Sequence, residues 1–324
     1  MTDTDQQLSL DKIHDLRASL PDLELNPRLD PPLALPQLGN AYLDYYGIRF
    51  EDRYFHRWGR VILPPYTVAT HYWLPEGCQD FPDQGMVVVV HGYFDHVGLY
   101  GHLIRYLLEQ GYGVIAFDLP GHGLSSGERA SIASFDHYVE VLTALIATVA
   151  AHCNCPLSAI GQSTGGAILL KHLALCCEGS EPCLDRVTLL APLVEPALWW
   201  LNKAVYALTH KKRARVRRKF TRNSSDEAFL AFLEQDPLQA THIPIPWLGA
   251  MKRWVEECRA MAPCPFPVRV IQGRKDKTLS WRFNLKLLRK KFPKGDFILV
   301  DDAQHHMVNE IRPLRERIFA EMGF

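Results

Sequence analysis

The chain has 324 residues, enough for one large α/β domain with an insertion or for two ordinary domains. Its 36 basic and 36 acidic residues cancel, so no global charge argues for a nucleic-acid partner. Hydrophobic residues at 47% supply ample core, no run reaches bilayer-spanning length, and the polar start Met1–Gln7 has no apolar run behind it, which predicts neither a membrane span nor a secretory signal.

Residues 1–45 carry one weak helical pattern and a proline-rich stretch from Pro27 to Pro36, which read as an N-terminal extension packed along the surface. From His56 to Leu74 the pattern suits a hairpin interrupted at Pro64-Pro65. Met86–Val90 is a continuous apolar run, the signature of a strand buried on both faces of a parallel sheet. A helix from Leu99 to Gln110 and a strand from Tyr112 to Phe117 follow, giving a βαβ unit. The loop Pro120–Ser125 leads to a helix over Phe135–Ala151. A strand ending at Gly161, a helix after Ser163 and a strand over Arg186–Leu190 come next.

From about Glu195 to Ala262 the composition changes to helical pieces without strands, including Trp199-Trp200 and the basic run Lys211–Lys219. The alternation resumes with a strand at Val268–Gly273, a helix to about Lys291, a strand at Asp296–Val300 and a helix after Asn309. The expected organisation is an α/β core of residues 46–194 and 263–324, with a mostly parallel sheet flanked by helices. Residues 195–262 form a helical cap inserted after the sixth strand.

Chemistry centres on Gly161-Gln162-Ser163-Thr164-Gly165, a G-x-S-x-G between strand and helix. On so tight a turn only small residues fit beside the serine, whose Oγ is then exposed at a helix N-terminus. A serine needs a base, and the base an orienting carboxylate. In an open α/β sheet these belong just past strand ends, in the order Ser, acid, His. Asp276 lies three residues after Gly273 and is preferred over Glu195, while Asp301 and Asp302 read as turn residues. His305 and His306 both lie past the strand ending at Val300, and only one can face the elbow. Asp118 and His122 read as braces of the glycine-rich loop. The oxyanion donors should be the backbone N–H groups of Thr164, after the nucleophile, and of Tyr93, in the loop after the first parallel strand.

His91-Gly92-Tyr93, the segments Phe117–Ser125 and Gly161–Ala167, and Ala303–Glu310 together resemble the α/β-hydrolase fold, and within it the monoacylglycerol lipase and lysophospholipase branch. The resemblance covers roughly residues 50–194 and 265–315. It implies Ser163 as nucleophile, Asp276 in Gly273-Arg274-Lys275-Asp276 as acid, and His305, which follows Ala303-Gln304 where the family has its single histidine, as base. Two positions depart from the branch: Thr164 stands where Met is common and His306 where Glu is. The implied activity is hydrolysis of a carboxylic ester through an acyl-enzyme, with a monoacylglycerol or lysophospholipid as favoured substrate. A small-ester carboxylesterase, a peptidase of the same fold and a non-catalytic binding protein are the alternatives. No cofactor and no metal are implied.

The spacing Gly121-x-Gly123 with Gly127 misses the dinucleotide fingerprint by one residue, and there is no P-loop. The basic run reads as a solvated helix face or as a patch holding the cap against an anionic lipid surface, with Trp199, Trp200 and Leu201 dipping in. Glu227, Glu234, Glu256 and Glu257 are the acids a peptidase could use for a free amino terminus. The eight cysteines show no C-x-x-C pair and no histidines at zinc spacing, and they read as buried or surface thiols of a reducing compartment in preference to disulfides or a zinc site. The expected location is therefore cytoplasmic, with peripheral membrane contact through the cap as the functional variant. The oligomeric state is not encoded in any recognisable pattern.

Overall fold

The computed structural model describes residues 8–30, 37–50, 53–179, 184–211 and 213–324. Met1–Gln7, Pro31–Pro36, Cys183 and Lys212 lie outside the described residues, and with them part of the proline-rich stretch and one residue of the basic run.

Eight strands form one sheet in the order β1-β2-β4-β3-β5-β6-β9-β10. They are β1 (Phe55–Leu63), β2 (Tyr66–Leu74), β3 (Met86–Val90), β4 (Gly113–Phe117), β5 (Leu157–Gln162), β6 (Arg186–Leu190), β9 (Val268–Gly273) and β10 (Asp296–Val300). The β1–β2 hairpin runs antiparallel and pairs antiparallel with β4; every other neighbouring pair is parallel. The central strands are buried on both faces, and their side chains alternate between two cores. Val88, Val90, Ile115 and Phe117 face the layer built from α4 (Phe135–Ala150), α5 (Thr164–Gly179) and α9 (Trp281–Lys291). Val87, Val89, Val114 and Ala116 face the layer built from α1 (Leu10–Ser19), α2 (Gln37–Tyr45), α3 (Gly101–Glu109) and α10 (Arg312–Ala320).

The strand order places the site. The chain leaves β3 for β4 on one side, then returns across the sheet to β5 on the other. Loops from β3 and β5 therefore diverge at the carboxyl ends of two hydrogen-bonded neighbours, which opens a crevice there.

Between β6 and β9 the chain forms α6 (Trp199–Thr209), β7 (Arg215–Arg217), α7 (Glu227–Gln235), β8 (His242–Pro244) and α8 (Ile245–Ala260). The expectation of a strandless segment is corrected here, because β7 and β8 pair antiparallel with Val216 opposite Ile243. Strands of three residues are too short to display an alternation. The N-terminal segment also holds two helices rather than one, and Leu16, Tyr42 and Leu43 are fully buried within the second core. It is thus a structural layer more than a surface strap.

The reading of unpaired thiols is also corrected. Cys153 pairs with Cys155, and Cys177 on α5 with Cys264, 87 residues away in sequence. Neither spacing carries a pairing signal, and the thiol argument for a reducing compartment falls away. No helix among the described residues is long and apolar enough to cross a membrane.

Candidate active site

The turn between β5 and α5 is as tight as its glycines require. Ser163 adopts φ +52°, a left-handed conformation rare for a residue with a side chain and a mark of stored backbone strain. A Cβ on Gly161 would lie 2.6 Å from the Gly165 carbonyl, and one on Gly165 would collide with the Val90 carbonyl oxygen. The turn is held by the Ser163 N–H donating to Leu190 O (2.9 Å) and by Ala167 and Leu193 N–H groups donating to Ser163 O. The Oγ is left half-buried above the sheet edge, beside the first turn of α5.

His305 Nε2 lies 3.0 Å from Ser163 Oγ, and its Nδ1 lies 2.9 Å from Asp276 Oδ2. The loops after β5, β9 and β10 thus meet at one point, although the residues are up to 142 positions apart. Asp276 is fixed in turn by Gln272 Nε2 on Oδ2 and by the N–H groups of Thr278 and Leu279 on Oδ1. Burial raises the Asp276 carboxyl, but the adjacent His305 charge and these hydrogen bonds outweigh it and hold the pKa below the usual carboxylate value. Burial likewise lowers His305, and the Asp276 carboxylate more than reverses this, leaving the imidazole a stronger base than a free histidine. The rival acids are engaged elsewhere. Glu195 pairs with Arg259, Asp301 with Arg274 and Asp302 with Lys275.

The loop after β3 lies directly against the serine, since a Cβ on Gly92 would sit 3.4 Å from Ser163 Cβ. Among the described residues no protein acceptor takes the backbone N–H of Tyr93 or Thr164. Two free donors therefore flank Ser163. The loop is braced from behind by Asp118, which accepts Val97 and Leu124 N–H at 2.8 Å each, while His122 Nδ1 lies 3.0 Å from Pro120 O.

Sequence reasoning missed a second buried pair. His306 Nε2 contacts Asp95 Oδ1 at 3.2 Å, while Asp95 Oδ2 accepts the Tyr100 hydroxyl, whose oxygen accepts Gly92 N–H. Adjacent histidines thus divide the work, His305 facing Ser163 and His306 tying its own loop to the loop after β3. Only the doubled His-His hinted at this.

A cavity of about 240 Å³ opens over Ser163. Its floor is Tyr93, Thr164, Leu193 and Leu279, and the segment between β6 and β9 supplies Phe220, Leu233, Ile243, Trp247, Leu248 and Met251. Tyr93 stacks on Trp247 with ring centroids 3.6 Å apart. Arg218 and Lys219, from the end of the basic run, also line this cavity. Trp199 is buried, while Trp200 is 68% exposed, so the pair does not act as one surface feature. Among the described residues no cluster of His, Cys, Asp and Glu could hold a metal ion.

Sheet order, elbow and the loops that carry Asp276 and His305 define an α/β-hydrolase fold. The chain belongs to the serine aminopeptidase S33 family (Hydrolase_4), which matches residues 82–312. It is 34% identical over 101 residues to the monoacylglycerol lipase of Mycolicibacterium smegmatis, a match covering 31% of this chain and 35% of that protein. It is 24% identical over 202 residues to the phospholipase YtpA of Bacillus subtilis, covering 59% and 76% respectively. A crystal structure of a soluble variant of Saccharomyces cerevisiae monoglyceride lipase superposes with a TM-score of 0.69 at 20% identity, over 81% of this chain and 92% of that one. The match thus spans about a third of the length of the mycobacterial relative, and the resemblance to the monoacylglycerol lipase branch is borne out.

Proposed function

We propose that the protein is a serine hydrolase that cleaves carboxylic esters of single-chain lipids through an acyl-enzyme. The observation that carries this reading is the hydrogen-bonded chain Ser163–His305–Asp276 at the floor of a cavity walled by apolar side chains. In the proposed cycle Ser163 Oγ attacks the ester carbonyl carbon while His305 Nε2 takes its proton. Asp276 orients the imidazole and stabilises its cation. The N–H groups of Tyr93 and Thr164 receive the oxyanion. His305 then returns the proton to the departing alkoxide, and a water deprotonated by His305 cleaves the acyl-enzyme to the free acid.

The family description names an aminopeptidase, which would need a carboxylate for the substrate's amino terminus. Of the lining residues only Asp95 carries one, and both its oxygens are engaged by His306 and Tyr100. Glu227, Glu234, Glu256 and Glu257 do not line the cavity. The apolar walls suit an acyl chain instead, with the segment between β6 and β9 acting as the cap. A series of p-nitrophenyl esters tests this. An optimum at medium or long chains supports a lipid ester, whereas a maximum at acetate would favour a small-ester carboxylesterase. Faster cleavage of aminoacyl amides than of any ester would restore the peptidase reading.

A further inference from the structure

The charge in the cavity bears on the alcohol half of the substrate. Arg218 follows β7 and is partly buried, its guanidinium packed 3.8 Å from the Phe94 ring centroid and 4.4 Å from that of Phe220. Its protein acceptors are neutral: Nη1 donates to Gln239 Oε1 at 2.7 Å and to Ala240 O at 3.2 Å. Among the described residues no carboxylate pairs with it, and its Nε and second terminal nitrogen have no acceptor. Desolvation pushes its pKa down to about 10, with Asp95, Tyr93 and Asp236 countering only in part. Lys219 lines the same cavity, and the only lining carboxylate is the engaged Asp95. A partly desolvated guanidinium, held rigid with donors to spare, is costly unless an anion completes it.

We propose that Arg218, assisted by Lys219, forms an anion subsite in the catalytic cavity that binds the phosphate of a single-chain glycerophospholipid. The proposal rests on the ester-hydrolase reading of Ser163 and refines it, favouring a lysophospholipid over an uncharged monoacylglycerol. The carboxylate released from the acyl half is already met by the Tyr93 and Thr164 N–H groups, so the Arg218 charge is left for the alcohol half. A guanidinium fork matches two phosphate oxygens at once. Asn223, also lining the cavity, has a buried amide oxygen without a protein partner, an acceptor suited to a glycerol hydroxyl.

The test uses the full chain and fluorophosphonate labelling of Ser163, with three amphiphiles of one alkyl length as competitors: an ether-linked alkylglycerol 3-phosphate, the alkylglycerol and the fatty acid. The ethers cannot be hydrolysed, so protection reports binding alone. The phosphate should protect at about tenfold lower concentration than the neutral ether, the scale of one hydrogen-bonded charge pair. Arg218→Gln should remove most of that ratio, Arg218→Lys should retain part of it, and Lys290→Gln, an exposed cation on α9 outside the cavity, should leave it intact. Equal protection by phosphate and neutral ethers overturns the subsite, as does a Lys290→Gln effect as large as that of Arg218→Gln. Protection by the fatty acid matching that by the phosphate assigns the charge to the acyl product and also overturns it. Folded wild type that takes no label instead refutes the hydrolase reading on which the subsite depends.

Discussion

Asp276 and His305 are hydrogen-bonded to each other, and in the proposed mechanism their coupling has a measurable sign. His305 acts as base only when neutral, so kcat/KM should climb with pH through its pKa, which stands above the ordinary 6.5 because of the Asp276 carboxylate. In Asp276→Asn the main raising charge is gone and burial is opposed only by the weaker pull of Asp95, so the midpoint should move down while kcat falls by about four orders of magnitude. A pH–rate profile of both proteins checks this, and an unmoved midpoint would mean that Asp276 does not hold the base. The three residues were legible because each follows a recognisable strand end and their order is constrained. His305 could not be separated from His306 on spacing alone, since the choice depends on which ring reaches the elbow and which reaches Asp95. Asp95 and Tyr100 left no trace, because a buried loop carboxylate and a helix-start tyrosine look like any others until the fold brings them together.

The segment between β6 and β9 is locked to the core by buried polar contacts as well as by apolar packing. His96 Nε2, from the loop after β3, pairs at 2.9 Å with Asp236 Oδ2, just past α7, and both side chains are fully buried. Tyr46, at the end of α2, donates its hydroxyl to Asp236 Oδ1 at 2.7 Å. Three separate elements thus converge on one carboxylate. Removing it in Asp236→Ala should cost about 3–5 kcal/mol in urea unfolding, since the histidine charge is left buried without a partner. His96 has its pKa raised in the fold: burial lowers it, and Asp236 more than compensates. Its contribution is therefore full below the ordinary 6.5 and is lost as pH rises through the elevated value. Wild type should lose stability across that window, and His96→Gln should show a flatter profile there; identical profiles would contradict the clamp. None of this was readable from element patterns. The strands and long helices were, because β3 is uniformly apolar and the helices of the core repeat at helical spacing. The three-residue ribbon carries too few residues to show a period, and the second N-terminal helix follows directly on the proline-rich stretch, whose turn signals hide it.

At the scale of the whole molecule, one face of the segment between β6 and β9 is conspicuously apolar. Leu198, just before α6, and Trp200, Leu201 and Leu208 on it are 61%, 68%, 42% and 75% exposed, and Lys211, Arg213, Arg215 and Arg217 follow in an exposed stretch. Apolar side chains beside clustered cations suit an anionic lipid interface, where the substrate of the proposed reaction would reside. Trp200→Glu should weaken co-sedimentation with anionic phospholipid vesicles severalfold, and binding should fall as salt rises. Salt-independent binding unchanged by Trp200→Glu would exclude this face. The fold could be anticipated because four motifs occur in order, each at a strand end. The substrate could not, because the walls of the cavity come from a segment without a motif, and Arg218 is one arginine in a basic run until the fold turns it inward.

Whether Ser163 is an activated nucleophile is read by fluorophosphonate labelling of wild type and Ser163→Ala. Wild type should label rapidly, and Ser163→Ala should neither label nor hydrolyse esters, with kcat down by several orders of magnitude and the unfolding midpoint nearly unchanged. Folded wild type that resists the probe, or a Ser163→Ala variant that labels as well, would contradict the account.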